Sequence, residues 1–250
     1  MIVLKLGGSV VTHKDRAETV DGEALDRAAD AVAAALESPD DALADGLVVV
    51  HGGGSFGHHN ASDHGVTTTA GTHDALAVQD VHGAMKTLNA FVLSRLLERD
   101  VPAVPVHPLS AAHRDEAGDL QLPTGQVETL LGEGFVPVVH GDLVAHAGEG
   151  ATVVSGDELV VELAADLEAD RIGLCSTVPG VLDDEGAVID DISSFDSVAD
   201  VLGESDATDV TGGMAAKVRA LLDLEAGASV FGLEDLEAFL AGEEPGTTVR

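Results

Sequence analysis

The chain has 250 residues, with 12 Lys+Arg against 45 Asp+Glu, a formal charge of −33 and an apolar content of 45%. That length can bury a sizeable core in one large domain or two small lobes, and the apolar content separates the chain from disordered acidic proteins. So negative a surface repels phosphate backbones and anionic lipid, excluding nucleic acid and membranes as partners, and a single cysteine, Cys175, excludes a disulfide scaffold.

The opening MIVLKLGGS lacks the order of a signal peptide, and no apolar run is long enough to span a bilayer, so a cytoplasmic protein is expected. Only four lysines occur and Trp and Tyr are absent, while acidic residues abound. Carboxylates this dense repel one another in dilute buffer, which predicts a halophilic protein that needs counterions.

In chain order, Ile2–Leu6 reads as a buried strand ending in Gly7-Gly8-Ser9, and residues 22–37 carry helical spacing through Leu25, Ala28, Ala29, Val32 and Leu36. Leu47–Val50 is a second buried strand running into His51-Gly52-Gly53-Gly54. A long helix is predicted over 74–99, with Leu76, Val81, Met85, Leu88, Val92 and Leu96 on one side. Ala103–Val106 is a strand, 107–122 an irregular or hairpin excursion, 124–132 a short helix and Phe135–Val139 a strand. Ser155 or Asp157 can cap a helix that runs to about Leu167. Beyond it come a strand at Arg171–Cys175, a hairpin through Asp183–Ile189, helical patterns at 194–202, 212–226 and 233–241, and a strand at Ala228–Phe231. Alternation of this kind predicts an α/β fold with a largely parallel sheet covered on both faces. A soft boundary near residue 167 divides a larger lobe, 1–167, from a smaller one, 168–250.

Three glycine clusters fall where strands end or helices begin: KLGGS (5–9), HGGGSFGH (51–58) and TGGMAAK (211–217). Glycines let backbone N–H groups converge on an anion, and a following helix adds its dipole. Neither a Walker sequence nor a GxGxxG dinucleotide fingerprint is present. In a chain that avoids lysine, Lys5 and Lys217 flank glycine clusters and Lys14 follows the first, whereas Lys86 reads as an ordinary helix residue. Phosphoryl transfer needs such point charges on the oxygens of the transferred group. His51, His58, His59 and His64 crowd one stretch, but their spacing fits no standard zinc pattern, so no metal site is expected. His58 closes the glycine cluster, where a donor can meet a substrate phosphate; His51 ends a strand and can organise the loop; His59 and His64 read as exposed loop residues.

KLGGSVVTHK, HGGGSFGH, HGD, VSGDE and DVTGGMAAK, in that order and spacing, resemble the amino-acid kinase superfamily, and within it the isopentenyl phosphate kinases of archaea. The likeness runs from Lys5 to beyond Lys217, and the glycine cluster closing in histidine is its discriminating motif. It implies a three-layer αβα sandwich, with the phosphoacceptor in the N-terminal lobe and ATP in the C-terminal lobe. It also implies catalytic roles for Lys5, Lys14, His58, Asp157 and Lys217, with Asp157 orienting Lys5 and Lys217. Gly53, His58 and Gly156 would hold the acceptor phosphate. Lys5, Leu6, Gly7, Gly8, Ser9, Gly54, Thr177, Gly180, Gly213 and Lys217 would hold ATP. The nucleotide loop reads STVPGV here rather than the commoner TDVDGV.

The reaction so implied is the Mg²⁺- and ATP-dependent phosphorylation of isopentenyl phosphate to isopentenyl diphosphate, in a homodimer. A small-phosphonate kinase of the fosfomycin type and a non-catalytic member of the fold are the alternatives. No arginine lies beside a glycine loop, which favours an acceptor with an apolar tail over one with a carboxylate. Val78, Val81 and Met85, at helical spacing, can line a pocket for that tail or pack in the core.

Overall fold

A computed structural model describes residues 1–37, 41–203, 213–224 and 226–250. In chain order the elements are β1 (Ile2–Leu6), α1 (Gly8–Val11), α2 (Gly22–Glu37), α3 (Asp41–Ala44), β2 (Leu47–His51), α4 (Gly54–Asp63), α5 (Ala75–Leu97), β3 (Ala103–Val106) and α6 (Pro108–Ala111). There follow β4 (His113–Arg114), β5 (Leu120–Gln121), α7 (Gly125–Gly132), β6 (Val136–His140), β7 (Asp142–His146), β8 (Gly150–Val154), α8 (Gly156–Asp166) and β9 (Arg171–Ser176). The last are β10 (Asp191–Ile192), α9 (Ala199–Gly203), α10 (Gly213–Leu222), β11 (Ala228–Gly232), α11 (Leu236–Leu240) and β12 (Thr247–Val249).

Eight strands form one sheet in the order β10-β12-β11-β9-β1-β2-β6-β3, parallel except where β12 runs against β11. Strands from residues 1–167 occupy one half of this sheet and those from 168–250 the other. Between them β1 pairs in parallel with both β2 and β9, so the strand order reverses at β1. In open α/β sheets such a reversal leaves a crevice beyond the carboxyl ends of the strands.

Burial on both faces explains why β1 and β2 are apolar almost throughout. On one face Ile2, Leu4 and Leu6 pack with Leu25 and Val32 of α2, Val92 and Leu96 of α5, and Phe239 of α11. On the other, Val3, Val48 and Val50 pack with Leu159 and Leu163 of α8 and Val218 of α10. Each such aliphatic side chain, fully removed from water, contributes about 1.5–3 kcal/mol. The result is the expected three-layer αβα arrangement. Lys5 lies on the same side of β1 as Val3, and therefore faces α8.

Several elements differ from the sequence reading. α4 replaces an expected loop, and β7 and β8 form an antiparallel hairpin in a separate four-stranded sheet, β5-β4-β7-β8. The short edge strand β10 and its neighbour β12 were not expected either. The pattern at 194–202 resolves into a 3₁₀ turn at Phe195–Ser197 followed by α9. In α5 the stripe runs through Ala77, Val81, Met85, Leu88, Val92 and Leu96, and Leu76, one residue out of phase with Ala77, is 73% exposed. α5 is tied to α2 by Arg95 and Arg99, which reach Asp26 at 3.0 and 3.2 Å. Among the described residues, no helix is long and apolar enough to cross a membrane.

Candidate active site

At the carboxyl ends of β1, β2 and β9 lies a cleft with a cavity volume of about 880 Å³. Lys5, Gly7, Gly8, Ser9, Lys14, Gly53, Gly54, His58, Gly156, Asp157, Thr177 and Lys217 all line it. Three expected residues do not stand with them. Leu6 is 2% exposed and packs in the core, so only its backbone belongs to the loop. Gly180 lies against Val188 and Thr247, where an added Cβ would come within 2.6–2.7 Å of their side chains. Gly213 opens α10, but its surroundings and those of Thr211 and Gly212 lie outside the described residues.

The charged centre is Asp157. Ser155 caps α8 by accepting from Glu158 N at 3.1 Å, and the Glu158 carboxylate accepts in return from Ser155 N at 2.9 Å. This reciprocal box, worth about 1 kcal/mol, fixes the first turn and sets Asp157 toward the sheet. Asp157 Oδ1 lies 2.6 Å from Lys5 Nζ and 3.9 Å from Lys217 Nζ. Burial by itself would raise the Asp157 carboxyl, but the adjacent Lys5 and Lys217 ammonium groups outweigh it and hold it below its ordinary value. One carboxylate thus orders two cations brought from opposite ends of the chain.

Backbone hydrogen bonds continue across the sheet past the strand ends. Gly7 N donates to Cys175 O at 2.9 Å, Gly52 N to Leu6 O at 3.0 Å and Gly141 N to His51 O at 2.9 Å. The first two glycine clusters then pack backbone on backbone: a Cβ on Gly8 would lie 2.7 Å from Gly54 Cα. Gly54 has a φ of +49° and presses on Thr12, so both its conformation and its surroundings demand glycine. Thr12 locks the two loops by donating to Gly8 O at 2.7 Å and accepting from Ser55 N at 2.9 Å. Sequence reasoning passed over this residue, although it stands within the first motif. The amides of Gly53 and Gly156 also converge, since a Cβ on Gly141 would sit 3.7 and 3.5 Å from the two nitrogens. Gly156 is the first residue of α8, so its N–H has no intrahelical acceptor.

His58 lies on the exposed side of α4 and lines the cleft. His59 and His64 are on or beside α4 and face Asp63 and Asp80 at 3.6 and 3.1 Å. Among the described residues, no group of three or more His, Cys, Asp or Glu is placed to hold a metal ion. Cys175 is buried, and burial raises its thiol to about 12, which leaves it unreactive. Val81 and Met85 line the cleft, while Val78 packs against a small cluster containing Ala61 and Val66. No arginine among the described residues lines it.

A buried histidine network beneath the glycine loops was not foreseen. His51 and His140 are paired across β2 and β6, and their rings stack with centroids 5.4 Å apart. Each ring's Nδ1 meets the carbonyl of the glycine that follows it, Gly52 at 3.1 Å and Gly141 at 2.9 Å. A carbonyl only accepts, so both Nδ1 atoms carry the proton. His107 Nδ1 then donates to His140 Nε2 at 2.8 Å, and His82 Nδ1 meets Asp142 Oδ2 at 2.8 Å. Burial holds His51 down at about 4 and His140 well below its ordinary value, and it raises Asp142. Asn89 Oδ1 stands 3.1 Å from His51 Nε2 while Asn89 Nδ2 has no partner; because the neutral His51 Nε2 accepts, the carboxamide turned over, with its NH₂ toward the ring, satisfies both groups.

Residues 1–230 match the amino acid kinase family. The chain belongs to that family. The isopentenyl phosphate kinase of Haloferax volcanii is 62% identical over 250 residues, which span 100% of this chain and 98% of that protein. That of Methanothermobacter thermautotrophicus is 35% identical over 237 residues, 89% of this chain and 86% of its own. A solved isopentenyl phosphate kinase structure superposes with a TM-score of 0.83 at 28% identity, with both chains fully covered. As an amino acid kinase, the chain accounts for the crevice at the strand reversal and for the lysines gathered in it.

Proposed function

We propose that this amino acid kinase transfers the γ-phosphoryl group of ATP to isopentenyl phosphate, forming isopentenyl diphosphate and ADP for isoprenoid synthesis. The observation that carries the reading is Asp157 between Lys5 and Lys217, in one cleft with the Gly53 and Gly156 amides and His58. Its support from relatives is the 62% identity to the Haloferax enzyme along the full chain. A phosphate monoester is already a nucleophile near neutral pH, so the transfer needs no general base. The task is to align two polyanions that repel each other.

The donor set of the cleft, ammonium groups and backbone N–H groups, suits polyphosphate oxygens. Lys5 and the Gly7–Ser9 turn hold the phosphates of ATP, and Lys217 reaches the transferring group. Lys14, exposed at the cleft's rim, stabilises charge in the transition state. Gly53, Gly156 and His58 hold the acceptor phosphate, and Val81 and Met85 meet its apolar tail. Mg²⁺ arriving with ATP supplies further neutralisation of the polyphosphate. The half of the sheet built from 1–167 serves the acceptor and the half from 168–250 the nucleotide. The working protein is a homodimer of a salt-rich cytoplasm.

The test is ADP release from ATP and Mg²⁺ in molar KCl, comparing isopentenyl phosphate, fosfomycin, acetylglutamate and no acceptor. Strong preference for isopentenyl phosphate is expected. Preference for another acceptor, or no turnover in protein shown to be folded, overturns the assignment.

A further inference from the structure

Resting on the reading that the acceptor phosphate binds at Gly53, we infer that His51 is a positioning residue which aims the Gly53 N–H into the cleft by holding the Gly52 carbonyl from below. A peptide unit is planar and trans, so the Gly52 C=O and the Gly53 N–H point in opposite directions within one rigid plane. His51 Nδ1–H donates to that carbonyl at 3.1 Å. Turning the carbonyl down onto the buried ring therefore turns the Gly53 N–H up toward the cleft that Gly52 and Gly53 line. Glycines have the freest backbone of any residue, so a run of three needs an external hold if one N–H is to keep a fixed direction.

The hold on the ring is unusually complete. His51 is 0% exposed, stacks on His140 and meets Asn89 through Nε2. His140 repeats the device one strand away, gripping the Gly141 carbonyl while Gly141 N donates to His51 O. His107 fixes the far side of His140, leaving neither ring free to flip. A His-Gly pair thus stands at the end of each of two adjacent parallel strands, β2 and β6. In each case the imidazole orders a peptide rather than touching substrate.

Three substitutions distinguish this role from simple packing. Asn places an amide NH₂ close to where Nδ1 stood, Gln places it nearer Nε2, and Leu removes both. In His51→Asn the KM for isopentenyl phosphate should stay within about threefold of wild type. His51→Gln and His51→Leu should raise it about tenfold or more, the cost of one misdirected donor. KM for ATP should stay near wild type in all three. Equal changes in both KM values, an unchanged acceptor KM in His51→Leu, or an Asn variant no better than Gln overturns the inference. Should Leu not fold, the Asn and Gln pair decides it alone. Should wild type itself fail to use isopentenyl phosphate, the acceptor assignment falls. Calorimetric binding of inorganic phosphate to wild type and His51→Gln then decides the positioning role: weaker binding in the variant supports it, and equal binding overturns it.

Discussion

Mild acid should destabilise the native protein through its buried histidines well before it reaches the aspartate paired with lysines. Burial holds the His51 ring neutral and lowers its titration to about 4, against the ordinary 6.5. Between those values the unfolded chain binds a proton that the native chain refuses, so stability rises with pH. The contribution is complete above about 6.5 and is withdrawn as pH falls toward 4. At about 1.36 kcal/mol per pH unit, the interval is worth about 3 kcal/mol for this one ring, a large share of a typical domain's stability. His140, stacked on it, is shifted the same way by the same cause; the titratable groups around the pair are His107, His82 and Asp142, with Lys86 beyond His107. Many carboxylates also begin to titrate in this range, and relief of their repulsion acts in the opposite direction. A difference measurement removes that term. His51→Phe keeps a stacked ring that cannot titrate, and urea unfolding of both proteins in molar KCl gives their stability from pH 7.5 down to 4.5. The advantage of wild type over the variant should shrink by about 2 to 3 kcal/mol across that range. An advantage that stays constant would refute the claim that the ring is buried neutral.

Other expectations concern the cleft. Asp157→Asn leaves two ammonium groups without their shared anion, and kcat should fall about a hundredfold, read by ADP release; a loss under threefold in folded protein would remove Asp157 from its ordering role. His58→Ala should lower kcat/KM at least about tenfold, or about 1.4 kcal/mol, and near-wild-type values would dismiss it as an acceptor ligand. Val81→Ala trims the apolar wall and enlarges the space beside it, so it should admit longer prenyl phosphates, and an unchanged chain-length profile in a folded variant argues against a tail pocket there. Far-UV circular dichroism and the thermal midpoint should both decline when molar KCl is replaced by dilute buffer, and a salt-independent midpoint would contradict the halophilic reading.

What the sequence made legible follows from how each element is buried. β1, β2 and β6 stand out as continuous apolar runs because both faces of a parallel sheet are covered. α8 announces itself through Ser155 and Glu158, three residues apart. α4 gave no such signal: glycines and polar residues dominate it, and its two apolar residues besides glycine are Phe56 and Ala61, both buried. β10 and β12 are two and three residues long, too short for any period to show. Rarity exposed the lysines, since an acidic surface leaves few to choose among. The histidine network stayed hidden because residues 51, 82, 107 and 140 meet only through the pairing of β2 and β3 with β6 and the packing of α5. Its one available trace was the repeated His-Gly pair at two strand ends.

On the proposed halophilic reading, salt reconciles the global charge with the local chemistry. Three of the four lysines line a single cleft, while the chain as a whole carries −33. In dilute solution that excess field extends about 10 Å or more and repels any polyanion long before it reaches Lys5 or Lys217. At molar salt the screening length shrinks to about 3 Å. The repulsive far field is then lost, whereas contacts such as the 2.6 Å approach of Lys5 to Asp157 lie inside it and survive. Most proteins that bind phosphates are weakened by salt, because the steering they lose is attractive. On the proposed halophilic reading the steering lost here is repulsive, so the salt that would hold the acidic fold together also opens the lysine-lined cleft to anionic ligands.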